Sequence, residues 1–474
     1  VLFGATFRRC GAFNISFTNV NKFTCLENKQ YFAFFIKNKP LSCIFAKCEV
    51  MTILEDAQKG IVTDEMRTVA RLEGVTEDFI RRGMASGRIV IPISPYRDVK
   101  LCGIGEGLRT KVNASVGTSS DIVDVEMEVE KTRQAERAGA DSIMELSTGG
   151  DFQEIRRRVI EATSLSVGSV PLYQAFIEAA RKDGAVVHMD PDDLFRITAE
   201  QARMGTNFMA IHTGINRETM TRLRNQGRHG GLVSRGGAFM TAWMIHNDAE
   251  NPLYSEFDYL LEILKEHDVT LSFGNGMRAG AVHDATDRAQ IQELIINAEL
   301  ADRAEAYGVQ SIIEGPGHIP IDEIEANVVV QKRLTGGRPF YMLGPLVTDI
   351  APGYDDRVAA IGAAFSSRYG ADFICYVTPA EHLALPTPDE VYEGVISSRI
   401  AAHAGDMVKL GQRDSDLRMG HARRDLDWEQ QFSLAINPPL ARKIREERSP
   451  ADDQACTMCG DYCALKIVSR HFSF

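Results

Sequence analysis

The chain has 474 residues, a net charge of −12, and 44% hydrophobic and 25% charged residues, the balance of an ordinary globular enzyme. So acidic a chain is a poor binder of nucleic acid or of anionic membrane surfaces, and no apolar run approaches the roughly 18–20 residues that span a bilayer. Its nine cysteines are scattered too unevenly for a disulfide scaffold, which points to a reducing, cytoplasmic compartment.

Residues 1–50 are unlike the rest, with nine of the 23 phenylalanines, seven Lys/Arg and two acids. They show neither helical period nor sustained alternation. A transit peptide or secretory signal fits them poorly, so they read as upstream translation ahead of a start at Met51. Residues 51–135 read as a mixed α+β region, with a helical start, a short strand at Arg88–Pro92 and a glycine-rich turn at Gly103–Gly107. That turn lacks the strand-then-helix setting of a dinucleotide loop.

From residue 141 one unit recurs: a short β-branched or apolar run, a polar or glycine exit, then a helical stretch. The runs are Asp141–Ser147, Val170–Ala175, Phe208–Gly214, Gly231–Gly236, Thr270–Met277, Gln310–Gly317, Phe340–Leu346 and Phe373–Pro379. Eight such units predict an α/β fold, a parallel (β/α) eight-stranded TIM-type barrel over 136–385. A doubly wound sheet is the alternative. In a barrel, chemistry sits at the C-terminal ends of the strands, and polar clusters stand at nearly every strand exit here. Residues 386–448 read as a helical C-terminal domain, and 449–474 as a flexible, cluster-bearing segment.

Cys456, Cys459 and Cys463 have C-x2-C-x3-C spacing. Three thiolates can ligate three irons of a [4Fe–4S] cluster and leave the fourth open for S-adenosylmethionine. A zinc knuckle, with His471 as fourth ligand, is the competing reading. His318 and His382 follow Glu-Gly-Pro-Gly and Thr-Pro-Ala-Glu at two strand exits. Two imidazoles there suit a divalent metal, zinc or iron, with Glu314 and Glu381 free to orient the ligands, ligate or act as bases. Ser234-Arg235-Gly236-Gly237 suits a phosphate, because bare amides approach closely and Arg binds in bidentate fashion. Met144, Tyr173 and Tyr341 lie near strand ends and are either core or substrate contacts.

Residues from about 51 to 468 resemble the thiamin pyrimidine synthase (ThiC) family of radical enzymes. The stretches that carry the resemblance are Ser234–Gly237, Ala285–Glu293, Glu314–His318, Leu343–Gly353, Tyr376–His382 and the cysteine triplet. The resemblance implies a [4Fe–4S] cluster on Cys456, Cys459 and Cys463, and zinc or iron on His318 and His382. It also implies contacts to aminoimidazole ribotide from Ser115, Met144, Tyr173, His212, Ser234, Arg235, Gly236, Asn275, Gly276, Met277, Arg278, Glu314 and Tyr341, with Glu314 catalytic. A radical derived from S-adenosylmethionine would abstract hydrogen from the ribotide. An electron donor such as flavodoxin or ferredoxin is implied, as is a homodimer whose cluster segment reaches the partner's barrel.

Two positions of the implied contact set depart from the thiamin pattern. The usual Asn-Ala-Asn-Ile-Gly is Asn113-Ala114-Ser115-Val116-Gly117, and the usual Asp-Gly-Leu-Arg is Asn275-Gly276-Met277-Arg278. Losing an amide at Ser115 and a carboxylate at Asn275 changes the pocket and keeps the radical machinery. That favours the sister branch, the 5-hydroxybenzimidazole synthases of cobamide biosynthesis, over a thiamin enzyme making hydroxymethylpyrimidine phosphate. From other classes, a zinc-dependent hydrolase or a metal-binding regulator would be colourless after anaerobic iron and sulfide treatment.

Overall fold

The computed structural model describes residues 51–449, 455–469 and 471–472, and the backbone of the short strands Phe23–Cys25, Phe32–Ile36 and Lys39–Pro40. The expectation for residues 1–50 as a segment, and residues 450–454, 470, 473 and 474 of the expected flexible segment 449–474, lie outside the described residues.

After Met51 come three helices, Ile53–Gln58, Asp64–Glu73 and Glu77–Ala85. Each begins at a threonine, Thr52, Thr63 or Thr76, whose hydroxyl accepts an otherwise unpaired backbone N–H of the first turn. Acidic residues follow in each first turn, where the helix dipole favours them. A two-stranded antiparallel pair, Ile89–Val90 with Ile104–Gly105, completes this region and places the glycine-rich turn in a sheet corner rather than under a phosphate.

Eight strands then close into a barrel, parallel at every seam: β1 Lys111–Val116, β2 Ser142–Glu145, β3 Ser166–Ser169, β4 Phe208–Ile211, β5 Thr270–Phe273, β6 Ser311–Gly315, β7 Phe340–Leu343 and β8 Phe373–Cys375. Closure runs through β8 and β1, with Phe373 opposite Lys111 and Cys375 opposite Asn113. That removes the doubly wound alternative.

The number of strands matches the expectation, but two of the expected runs are not strands. Gly231–Gly236 makes only an isolated bridge, Leu232 to Ala279. Ser234 instead caps the helix Arg235–Asn247, its hydroxyl accepting from Gly237 N. Val170–Ala175 is the start of the helix Pro171–Asp183, with Pro171 in the first turn, and the strand lies just before it as β3.

The strand missed is β1, which lies inside the stretch read as the N-terminal region. Lys111 and Asn113 give it the look of a solvent-facing segment. Both are buried, because barrel strands are covered on both faces. Each is therefore paired: Lys111 Nζ lies 3.1 Å from Glu73 Oε1, and Asn113 Nδ2 donates to the Tyr341 hydroxyl at 2.8 Å.

After the barrel come the helices Pro388–Lys409, Asp414–Arg424, Trp428–Leu434 and Pro438–Glu447, and the first packs along Val125–Ala138 and Asp355–Tyr369. Among the described residues no helix is long and apolar enough to cross a membrane.

Candidate active site at the barrel mouth

The C-terminal ends of the strands surround a cavity of about 530 Å³. Ser115 of β1, Met144 of β2 and Tyr173 at the head of the helix after β3 line one side. His212 after β4, Asn275 and Arg278 after β5, Glu314 of β6 and Tyr341 of β7 line the other, and Arg235 reaches in from its helix. Nine sequence-predicted residues thus meet in one cavity. Lys131, Cys375, Tyr376, Thr378 and Glu381, not singled out as substrate contacts, line it too.

Four predicted contacts do not line it: Ser234, Gly236, Gly276 and Met277. They build its wall. A Cβ on Gly236 would come within 2.4 Å of the His212 ring, and one on Gly237 within 2.2 Å of the Gly276 carbonyl. These glycines let the Arg235–Asn247 helix close onto His212 and the β5 exit. Gly276 and Met277 give their backbone N–H groups to Glu293, each at 2.8 Å.

Burial sets the protonation of the cavity. Desolvation pushes the Glu314 carboxyl up, against the Ser272 hydroxyl that donates to Oε1 at 2.8 Å and the charge of Arg278. Burial raises Glu381 as well, with the charge of His382 opposing it, and holds Cys375 and Tyr341 in their protonated forms. Arg235 stacks over Tyr173, its guanidinium carbon 5.3 Å from the ring centroid. With Arg278 it supplies cationic character suited to an anionic substrate. Glu293 is pushed up to about 8 by burial, while three N–H donors, from Met277, Gly276 and Asn275, pull it back.

His212 is lowered to about 3, first by burial and then by the Arg278 charge. Its Nε2 lies 3.4 Å from the Ser234 hydroxyl. A histidine that refuses a proton in the folded state contributes stability above pH 6.5, lost as pH falls towards about 3. His212→Gln, neutral throughout, is therefore expected to flatten the fall in melting temperature over that acid range. An unchanged acid limb would show that His212 is not the buried neutral group responsible.

The two predicted metal ligands meet beside this cavity, with ring centroids 5.2 Å apart. His318 Nδ1 contacts Asp349 Oδ1 at 2.8 Å, and His382 Nδ1 contacts Asp355 Oδ1 at 2.9 Å. Carboxylates on Nδ1 fix ring orientation and leave Nε2 for a metal, the arrangement that metal-ligating histidines use. Asp349 and Asp355 do this orienting, one of the three roles left open from the sequence for Glu314 and Glu381. His318 is itself held by continued β6–β7 pairing, as Ile319 N donates to Leu346 O at 3.0 Å. A second cavity of about 440 Å³ opens over the pair and shares Arg235, Arg278 and Glu381 with the first. This donor set fits part of a divalent-ion shell, the remainder coming from water or a small ligand.

Cys456, Cys459 and Cys463 lie on one tight turn, where Cys459 N and Gly460 N both donate to Cys456 O, at 3.2 and 2.9 Å. The helix Ala464–Val468 follows at once. Cys459 is exposed, Cys456 half-buried and Cys463 buried. Backbone N–H groups of Cys459 and Met458 lower the Cys456 thiol. Among the described residues no three His, Cys, Asp or Glu side chains are grouped closely enough to hold a metal, these three cysteines included.

Residues 52–470 match the radical SAM ThiC family. A protein of Methanoculleus marisnigri named phosphomethylpyrimidine synthase is 82% identical over 424 residues, 90% of this chain and 100% of that one. A protein of the same name from Methanospirillum hungatei is 79% identical over 89% of this chain and 99% of its own. Phosphomethylpyrimidine synthase 1 of Methanosarcina barkeri is 68% identical, again over 89% of this chain and 99% of its own.

Proposed function

Because the chain belongs to the radical SAM ThiC family, we propose that it is a phosphomethylpyrimidine synthase, converting aminoimidazole ribotide to hydroxymethylpyrimidine phosphate for thiamin. The observation that carries this reading is the end-to-end, high-identity match to relatives of that name. The expected 5-hydroxybenzimidazole branch is overturned by the same relatives. The structure supplies a physical reason why the pocket substitutions do not call for a new product. The Asn275 amide nitrogen is held locally, donating to Glu293 Oε2 at 2.7 Å, and its oxygen still faces the cavity. Ser115 keeps a hydroxyl at the cavity, 3.5 Å from Cys375 Sγ.

In this proposal Arg235, with the N-terminus of its helix, binds the phosphate, and Arg278 shares that charge. Tyr173, Met144 and Tyr341 flank the base and ribose. His212 stays neutral and offers one ring N–H and one acceptor. Glu314, its carboxyl pushed up by burial, holds or accepts a proton at Oε2 while Ser272 fixes Oε1. His318 and His382 hold a zinc or iron ion, and Cys456, Cys459 and Cys463 hold the [4Fe–4S] cluster. When bound, the cluster and S-adenosylmethionine supply one-electron radical chemistry. A donor such as flavodoxin or ferredoxin, and a homodimer, belong to the same proposal.

The test is anaerobic: reconstituted protein, reductant, S-adenosylmethionine and aminoimidazole ribotide, with products identified by mass spectrometry. The expected pair is 5′-deoxyadenosine and hydroxymethylpyrimidine phosphate. 5-Hydroxybenzimidazole, or no 5′-deoxyadenosine, would overturn the reading.

A further inference from the structure

The β5 exit loop presents Asn275 and Arg278 to the cavity, and two side chains that do not line the cavity grip it from behind. Glu293, on the helix Arg288–Tyr307, takes the donors of the loop. Its Oε1 accepts from Gly276 N at 2.8 Å, and its Oε2 from Met277 N at 2.8 Å and Asn275 Nδ2 at 2.7 Å. Arg228, its side chain 1% exposed, takes the acceptors, donating to Met277 O at 2.5 Å and Arg278 O at 3.0 Å. Arg228 Nε in turn pairs with Asp287 Oδ2 at 2.7 Å. Asp287 caps the same helix, accepting from Gln290 N at 2.8 Å. One helix end therefore fixes both polarities of the loop backbone.

The consequence falls on one atom. All three hydrogen-bond neighbours of the Glu293 oxygens are donors, so the cradle fits an ionised carboxylate and requires the NH2 face of Asn275. The Asn275 side chain is 5% exposed and its Oδ1 has no hydrogen-bond partner. A buried carbonyl left so costs roughly 1–3 kcal/mol, unless the occupant of the cavity supplies the donor.

We propose that Glu293 is a positioning residue that locks the Asn275 amide with Oδ1 facing the cavity, where it accepts a hydrogen bond from the ribotide. This rests on aminoimidazole ribotide being the substrate. A carboxyl at 275 would have to share a proton with Glu293, whereas the amide serves both sides without one: nitrogen to the protein, oxygen to the ligand. Glu293 ends the Ala285–Glu293 stretch that helped identify the family, so the sequence marked the residue without revealing its task.

The experiment is calorimetric titration of aminoimidazole ribotide into the anaerobic holoenzyme without reductant or S-adenosylmethionine, at a pH above the value to which burial raises Glu293. Glu293→Gln leaves one oxygen to serve three donors and sets an NH2 against the loop, so Asn275 loses its fixed hold and its amide is free to turn its oxygen from the cavity. Binding is expected to weaken about 10-fold, the effect of one hydrogen bond lost with its partner left buried. Adding Asn275→Asp gives the amide introduced at position 293 an acceptor and returns an oxygen to the cavity, so the double variant should recover to within about 3-fold of wild type. Asn275→Leu, which keeps volume and removes the acceptor, should weaken binding as Glu293→Gln does. Wild-type affinity in Glu293→Gln or Asn275→Leu overturns the proposal. So does a double variant that melts like wild type yet binds no better than Glu293→Gln. A wild-type protein that does not bind the ribotide sinks the substrate reading and this inference with it, an outcome visible before any variant is made.

Discussion

Cys459→Ala is expected to lose cluster assembly and turnover together while the barrel stays folded. The proposed cluster needs a thiolate on each of three irons, and only the fourth is left to S-adenosylmethionine. Removing one thiolate leaves an iron without a protein ligand. The turn that carries Cys459 is exposed and held by its own backbone bonds, Gly460 N to Cys456 O and Tyr462 N to Cys459 O. The substitution therefore removes no packing, and its effect on stability should stay within about 0.5 kcal/mol. The readouts are iron and sulfide content, visible absorbance, 5′-deoxyadenosine yield and melting temperature. Cys102→Ser is the contrast. That thiol is buried and pushed up to about 12, so it is a poor ligand, and its loss should leave the iron content unchanged. Turnover retained in Cys459→Ala would remove the cluster assignment.

His382→Ala is expected to abolish binding of the divalent ion proposed for the histidine pair, and with it most of the turnover. With two imidazoles as the only clear protein donors among the described residues, losing one leaves a single monodentate ligand. Asp355→Ala should act through His382, since Asp355 Oδ1 holds its Nδ1. Loss of such an orienting carboxylate costs about 10- to 100-fold in metal affinity. Asp355→Asn, which can still accept from Nδ1–H, should recover part of that loss. The measurement is metal content after dialysis against a graded chelator, alongside turnover. Equal metal retention in wild type and His382→Ala would show that the pair is not a metal site.

How much is legible without the fold differs by residue. The barrel is legible because short apolar runs with polar exits recur along the chain, although β1 escapes that pattern and Gly231–Gly236 imitates it. β1 is hidden because its polar residues, Lys111 and Asn113, are buried and paired with residues far away in sequence, Glu73 and Tyr341. No local pattern reports such a partner. Gly231–Gly236 misleads because a Leu-Val pair between glycines looks like a strand, while the cue that wins is Ser234 as a helix cap.

The sequence alone determined the residue types and their order: three cysteines at cluster spacing, two histidines after strand exits, and the polar groups that close each run. Those follow from local chemistry, since ligand spacing and hydrophobic period are properties of neighbours along the chain. Only the tertiary structure decided which carboxylates serve the histidines, which glycines exist to admit His212, and which way Asn275 faces. Asp349, Asp355 and Glu293 act across 31, 27 and 18 residues of chain. Barrel closure brings them within hydrogen-bond reach, and at Glu293, fully buried, burial makes the contact obligatory.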